Sequence, residues 1–125
     1  MMWRSETPFW RRGESLAAWR LRLRGYRILA RNVRCGHGEI DIIARRGGVT
    51  AFVEVRTRAV ADPVPPEDTV TFPKRQHLRA AARRWLAATP QPDGMSYRFD
   101  VVGVILPPRG KAQVTHHPDA FRMDE

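Results

Sequence analysis

Two short segments of this 125-residue chain alternate β-branched or aromatic residues with charged ones. The first reads EIDIIA over residues 39–44, and the second reads TAFVEVR over residues 50–56. Carboxylate oxygens are the ligands that Mg²⁺ and Mn²⁺ prefer, and such an ion activates water and neutralises charge on a phosphoryl group. The two segments therefore indicate metal-dependent phosphoryl chemistry if the fold brings Asp41 and Glu54 together.

A Gly-Gly pair at 47–48 separates these segments and predicts a two-residue hairpin turn. With both glycines in the loop, Asp41 lies directly opposite Glu54, and Glu39 lies opposite Arg56. Period-two alternation then places these four side chains on one face of the hairpin. A longer loop would shift this register. The other face is predicted to carry the apolar residues Ile40, Ile42, Val53 and Val55.

Directly opposed carboxylates need something to relieve their repulsion. At about 5 Å and an effective dielectric constant of about 20, the repulsion is about 3 kcal/mol. One interpretation is that Asp41 and Glu54 are solvated residues balanced by Arg56 and nearby arginines. The strongly apolar flanking residues favour a central strand, and hence a metal site in which Arg56 stabilises developing negative charge. Glu39 is predicted to form an orienting ion pair with Arg56.

The elements that must position these residues follow from periodicity and turn signals. A first helix is predicted from Trp10 to Arg24, and a second helix from Phe72 to Thr89. Strands are predicted near residues 26–30, 39–44, 50–56 and 97–106. Residues 59–71 are predicted to form an irregular loop, and residues 107–125 a C-terminal extension with a short edge strand near Val114. This order predicts one α/β domain spanning residues 1–125, with its core at about 10–106 and a mixed sheet flanked by helices.

The charge balance points to a polyanionic partner. There are 22 basic residues against 13 acidic ones, for a net charge of +9. The excess lies in residues 1–34, with nine arginines against two glutamates, and in residues 72–89, with five basic residues and no acid. Such a surface is typical of nucleic-acid binding, although a basic surface that serves only solubility is the alternative.

Several protein classes are excluded. No run approaches the ~18 to 20 apolar residues of a membrane span. The first residues, Met1 to Glu6, lack the apolar stretch of a secretory signal. The single cysteine, Cys35, allows no internal disulfide and fits a reducing compartment. We therefore expect a cytoplasmic protein without a membrane partner.

Other polar and aromatic residues are predicted to be structural. Asp100 beside Arg98 is expected to form structural hydrogen bonds at a strand end. The pairs Cys35 with His37 and His116 with His117 are isolated, whereas a closed zinc site needs four ligands. The tryptophans at helical spacing are predicted to lie in the core, and these are Trp10, Trp19 and Trp85.

Three blocks of sequence strongly resemble the YraN-like family of uncharacterised bacterial proteins (UPF0102). These blocks are GEIDIIA at 38–44, FVEVRTR at 52–58 and RFDVV at 98–102. Similar features extend the resemblance over about residues 10–106, and they are Gly13-Glu14, Gly25-Tyr26, Asn32, Lys74 and Leu78. The resemblance implies a restriction-endonuclease-like fold with a PD-(D/E)xK metal site, and archaeal Holliday-junction resolvases as the nearest well-understood relatives.

Carried over by position, the resemblance implies a set of site residues. Asp41 and Glu54 would hold Mg²⁺ or Mn²⁺, Arg56 would occupy the position of the motif lysine, and Glu14 would be the helix-borne glutamate of resolvases. Lys74 and Gln76 fall where some relatives place an auxiliary polar residue. The basic residues of the second helix are predicted to contact phosphates, and these are Lys74, Arg75, Arg79 and Arg83.

The arginine at position 56 leaves more than one function open. Lysine is a compact ammonium that can transfer a proton, whereas arginine stays charged and cannot act as a base. The leading hypothesis is a metal-dependent nuclease acting on DNA, including branched DNA, in which Lys74 could supply a replacement ammonium. The alternatives are a catalytically impaired nucleic-acid-binding module on the same fold, and a basic accessory protein that binds RNA or a protein. A homodimer is expected only by analogy with resolvases.

Overall fold

The computed structural model describes residues 7–124, so the Met1 to Glu6 segment assessed above as a signal lies outside the described residues. Two helices and five strands make up the described chain. In order they are α1 (Pro8–Leu23), β1 (Arg27–Cys35), β2 (Gly38–Arg46), β3 (Val49–Arg58), α2 (Phe72–Ala88), β4 (Ser96–Ile105) and β5 (Gln113–Phe121). A short 3-10 helix, Pro66–Thr69, interrupts the connection between β3 and α2.

The five strands form one mixed sheet in the order β1-β2-β3-β4-β5. Neighbouring strands are antiparallel except β3 and β4, which are parallel. Parallel neighbours need a long crossover connection, and here it contains α2. The predicted α/β fold, a mixed sheet flanked by helices, is confirmed.

Alternate residues of the central strands pack against different helices. Ala51, Val53 and Val55 of β3 belong to a buried cluster with α1, while Phe52 belongs to a second buried cluster with α2. The two helices therefore cover opposite faces of the sheet, and the central strands are buried on both sides.

Local signals set the helix ends close to the predicted positions. Gly25 follows α1 with φ +88°, a left-handed conformation that glycine adopts without strain. The Thr71 hydroxyl accepts a hydrogen bond from the Lys74 backbone at the start of α2. One core prediction is wrong, because the Trp19 side chain on α1 is 58% exposed.

The hairpin register is confirmed over five pairs and then ends. Residues 42–46 pair with residues 49–53 as the two-glycine turn predicts, and the last pair is Ile42 with Val53. The predicted pairing of Asp41 with Glu54 is wrong. Ile40 packs in the α2 cluster, whereas Ile42 packs in the α1 cluster, so the side-chain alternation is interrupted at this point of β2.

The C-terminal extension forms more structure than predicted. Residues 113–121 form a nine-residue edge strand along β4 rather than a short one near Val114. The Phe121 ring is buried and stacks on Phe99, with 4.7 Å between the ring centroids. The core thus continues past residue 106 to Phe121.

Within residues 7–124, neither helix is both long and apolar enough to cross a membrane.

Candidate metal centre

Three buried carboxylates from two elements meet beside β3. One oxygen from each of Glu14, Glu39 and Asp41 lies within 4.8 Å of the other two. Glu14 comes from α1, and the other two residues come from the start of β2. Hard oxygen donors at this separation are a ligand set for Mg²⁺ or Mn²⁺.

A glycine allows α1 to bring Glu14 to this point. A Cβ atom at Gly13 would lie 2.0 Å from the Thr57 hydroxyl oxygen, a distance that no real contact allows. The helix backbone therefore contacts β3 directly, and the next residue, Glu14, is 2% exposed. Close packing of α1 on β3 is the reason that a helix residue reaches the strand carboxylates.

Asp41 takes part in the sheet through its side chain. Its Oδ2 accepts a hydrogen bond of 2.8 Å from the backbone N–H of Val55. This contact lies just beyond Ile42–Val53, where the regular pairing ends. A carboxylate here accepts a hydrogen bond from a buried backbone donor.

The surroundings of Glu39 indicate whether the three carboxylates fit a cation. It is 5% exposed, and no described residue forms a hydrogen bond with its buried Oε1. Burying a carboxylate oxygen without a hydrogen bond, next to two further carboxylates, is costly unless a cation compensates. The three side chains therefore fit a divalent metal ion.

Glu54 engages basic residues rather than this carboxylate group. Its Oε2 lies 3.5 Å from Arg56 Nη1 and 3.6 Å from Lys74 Nζ of α2. Arg56 also donates a hydrogen bond of 3.0 Å to the Thr69 hydroxyl. The predicted ion pair between Glu39 and Arg56 is wrong, since Arg56 pairs with Glu54.

The basic residues predicted on α2 divide into structural and exposed members. Arg79 is 2% exposed, and its Nε donates to the backbone carbonyl of Arg122 at 2.7 Å. Its guanidinium lies 5.3 Å from the centre of the Phe121 ring and also hydrogen-bonds Gln76. The prediction that Arg79 contacts phosphates is wrong, because this side chain anchors α2 to the C-terminal segment.

The other three predicted phosphate contacts have protein partners of their own. Arg75 Nε donates to the Val70 carbonyl at 3.1 Å, and Arg83 Nη2 donates to the Met123 carbonyl at 3.2 Å. Lys74 pairs with Glu54. Arg83 is exposed, and Lys74 and Arg75 are half-buried.

A further buried carboxylate, Asp100, has a structural role, as predicted. It accepts hydrogen bonds from Arg98 Nε and the Asp119 backbone, and its Oδ2 lies 2.8 Å from His116 Nε2. Burial alone would raise the pKa of Asp100, but the hydrogen bonds from His116, Arg98 and the Asp119 backbone outweigh burial and lower that pKa below its usual range. Arg98 extends the network to the Tyr26 hydroxyl at 2.6 Å.

Sequence reasoning missed two partners. Regular alternation places Glu39 opposite Arg56 and so predicts an ion pair instead of a place in the carboxylate group. The pairing of β5 with β4 brings His116 to Asp100, and no local sequence signal marks this contact.

Comparisons with known proteins agree on one family. The model of Uncharacterised protein family UPF0102 matches residues 13–104, which include the carboxylate group, Glu54, Arg56 and Lys74. The chain is 47% identical to a UPF0102 protein of Nocardia farcinica, over 87% of this chain and 85% of the relative. It is 45% identical to one from Parafrankia sp., over 87% of this chain and 92% of the relative. It is 43% identical to one from Geobacter metallireducens, over 90% of each chain.

Proposed function

This chain belongs to the UPF0102 family, as its motifs indicated, and we propose that it is a divalent-metal-dependent nuclease of DNA with a restriction-endonuclease-like fold. The observation that carries the proposal is the buried group of Glu14, Glu39 and Asp41, whose oxygens lie within 4.8 Å of one another. At that distance and an effective dielectric constant of about 20, each pair of charged carboxylates repels by about 3 kcal/mol. A bound cation turns this repulsion into attraction.

These three carboxylates would hold Mg²⁺ or Mn²⁺. When bound, the ion would lower the pKa of a coordinated water and neutralise charge on the scissile phosphate. The residues of this chain keep the site dry on the protein side, because all three carboxylates are buried. They also set its position, since the Val55 N–H holds the Asp41 carboxylate against β3.

Arg56 and Lys74 act on the phosphate. Both cations lie within 3.6 Å of Glu54 Oε2, so one buried carboxylate orients two positive groups. Their donors would hydrogen-bond the non-bridging phosphate oxygens, whose negative charge grows in the transition state. Glu54 orients Arg56 and Lys74 in this proposal. Whether it also binds the metal, as predicted, is measured by Mn²⁺ titration of Glu54→Gln.

Lys74 supplies the ammonium that position 56 lacks. The motif lysine is an arginine here, and arginine cannot give up its proton. The Lys74 Nζ atom, carried by the first turn of α2, reaches the same glutamate oxygen as Arg56. Glu54 thus pairs with both a guanidinium and an ammonium.

The experiment compares cleavage of labelled duplex DNA and a four-way DNA junction in Mg²⁺, Mn²⁺ and EDTA. The variant is Asp41→Asn, which keeps the size of the side chain and an acceptor for Val55. The matched control is Asp93→Asn, at an exposed acidic residue in the turn before β4. We expect metal-dependent cleavage that Asp41→Asn reduces by at least ~100-fold and that Asp93→Asn leaves unchanged. Cleavage that survives both EDTA and Asp41→Asn contradicts the proposal.

A metal titration without DNA provides an independent measurement. Mn²⁺ should bind the wild-type protein and the Asp93→Asn control, and bind Asp41→Asn at least ~10-fold more weakly. Loss of Mn²⁺ binding in Glu54→Gln would make Glu54 a ligand as well.

A catalytically impaired nucleic-acid-binding module is the second candidate, and the arginine at position 56 favours it. It predicts DNA binding by the wild-type protein with no cleavage in either metal. Cleavage gained only by Arg56→Lys would establish this second function.

A further inference from the structure

The α1–β1 segment carries a one-sided charge. Between Pro8 and Cys35 there are eight arginines and one acidic residue, and that acid, Glu14, is buried in the carboxylate group. Seven of the eight arginines are exposed, and they are Arg11, Arg12, Arg22, Arg24, Arg27, Arg31 and Arg34. The solvent-facing charge of this segment is therefore entirely positive.

Two of these arginines lie beside the carboxylate group. Arg34 is the ladder partner of Glu39 across the β1–β2 pair. Arg31 Nη2 donates a hydrogen bond of 3.4 Å to the hydroxyl of Ser15, the residue after Glu14. The Arg34 backbone is thus paired with the strand that supplies Glu39, and the Arg31 guanidinium is hydrogen-bonded to the helix that supplies Glu14.

The backbone between Arg31 and Arg34 allows both side chains to be exposed. Residues three apart in a regular strand point to opposite faces. Asn32 has φ 54°, a left-handed conformation that interrupts β1 between Arg31 and Arg34. Strand β1 is also an edge strand, and among residues 7–124 β2 is its one neighbour in the sheet.

The arginines of α2 are less suited to this role. Arg79 is buried, and Arg75 and Arg83 donate hydrogen bonds to backbone carbonyls. Lys74, which pairs with Glu54, is the α2 residue proposed to act on the scissile phosphate itself and not on its neighbours.

We propose that Arg31 and Arg34 of β1 bind the sugar-phosphate backbone of DNA next to the scissile position, so that the DNA lies along the β1 edge and not along the arginines of α2. This inference rests on the proposed nuclease function for the identity of the polyanion. A phosphate placed on the carboxylate group brings its neighbours in the same strand to the two guanidiniums that flank Glu39 and Ser15. Arginine contacts to phosphate position the duplex without reading its sequence.

The test measures DNA binding by fluorescence anisotropy in EDTA, with the full-length protein and a labelled 20-base-pair duplex. The variant is Arg31→Gln with Arg34→Gln. The matched control is Arg22→Gln with Arg27→Gln, which removes the same charge from one exposed position in α1 and one in β1. A third variant, Arg83→Gln with Arg84→Gln, tests α2.

We expect the β1 variant to bind at least ~10-fold more weakly at 0.1 M salt and to lower the log-log salt slope by about two. The control and the α2 variant should each change affinity by less than about threefold. Melting curves of all variants should coincide, since every substituted side chain is exposed.

Three results would overturn the inference. One is an equal loss of DNA affinity in the β1 variant and its control, which would reflect net charge alone. Another is a loss of DNA affinity that is confined to the α2 variant. The third is failure of the wild-type protein to bind duplex while it binds phosphatidylglycerol vesicles, which would make the basic segment a membrane surface. Binding through β1 without cleavage in Mg²⁺ would leave this inference standing and contradict the nuclease proposal.

Discussion

The backbone N–H of Val55 donates a 2.8 Å hydrogen bond to Asp41 Oδ2, so the contact between β2 and β3 continues through a side chain where their regular pairing ends. The residue that we propose as a metal ligand is therefore also part of the sheet. We expect substitutions at this position to affect stability and metal binding for separate reasons.

Asp41→Ala should destabilise the protein more than Asp41→Asn. Alanine leaves the Val55 N–H buried without its acceptor, which costs about 1–3 kcal/mol, whereas asparagine keeps an oxygen there. Urea denaturation in EDTA measures the difference in the free energy of unfolding. Equal stability of the two variants would show that the Val55 hydrogen bond contributes nothing.

Glu39→Gln should stabilise the metal-free protein and weaken its response to metal. Removing one of three neighbouring charges relieves repulsion, and we expect a gain of about 1–3 kcal/mol in EDTA. The rise in melting temperature that Mn²⁺ produces in the wild-type protein should shrink in this variant. Asp93→Asn is the control, and a Glu39→Gln protein with an undiminished Mn²⁺ response would remove Glu39 from the ligand set.

Lys74→Met should reduce DNA cleavage by about 10²–10³-fold, the usual effect of deleting a donor to a developing negative charge. The chain has one other lysine, Lys111, which is exposed, so Lys111→Met is the matched control. Adding Arg56→Lys to Lys74→Met should restore part of the rate, because it returns an ammonium beside Glu54. Single-turnover rates with saturating DNA separate this effect from binding. A Lys74→Met protein that cleaves at the wild-type rate would exclude Lys74 from the chemistry.

Asp100 should account for part of the loss of stability in acid. Its pKa is lowered in the folded protein, because the hydrogen bonds from His116, Arg98 and the Asp119 backbone outweigh its burial. A carboxyl group with a depressed folded pKa stabilises the protein above its unfolded pKa, near 4, and this stabilisation is lost as the pH falls toward the folded value. Asp100→Asn should thus lower stability at pH 7 by about 2–3 kcal/mol and flatten the decline below about pH 4.

The matched control for Asp100 is Asp93→Asn, at an exposed residue in the turn before β4. Substitutions at exposed positions usually change stability little. Denaturant melts at pH 7, 5, 4 and 3 provide the comparison. The assignment fails if Asp100→Asn keeps the acid sensitivity of the wild-type protein.

Gly13→Ala should displace α1 and disrupt the carboxylate group. The new Cβ would lie 2.0 Å from the Thr57 hydroxyl oxygen, and overpacking of this kind costs about 1–3 kcal/mol or more. Stability and Mn²⁺ affinity should fall together, and Thr57→Ala in the same chain should recover part of both. Gly48→Ala is the control, since a Cβ atom there would meet nothing closer than 4.0 Å.

Sequence periodicity and turn signals located the secondary structure well. The predicted second helix, Phe72 to Thr89, differs from α2 by one residue, and the glycine pair at 47–48 gave the correct register for five strand pairs. These features depend on neighbours in the chain, on the spacing of apolar residues and on glycine at a turn. Local preference is therefore enough to predict them.

The grouping of charged side chains was less predictable. Regular alternation placed Asp41 opposite Glu54, but β2 changes its pattern between Ile40 and Ile42, and no local signal marks that change. Arg79 looked like a surface residue because its partners, the Arg122 carbonyl and the Phe121 ring, are more than forty residues away. Its burial depends on a strand that the sequence indicated only weakly.

The sequence alone determined the α/β class, the family and the basic character of residues 1–34. It also singled out two carboxylates, Asp41 and Glu54. Those properties are carried by composition, spacing and short blocks of residues. Only the tertiary structure decided that Glu39 joins Glu14 and Asp41, that Lys74 and Arg56 share Glu54, and which arginines are exposed beside the site. Each of these contacts joins separate elements, so its geometry depends on how helices pack on the sheet and where strand pairing ends.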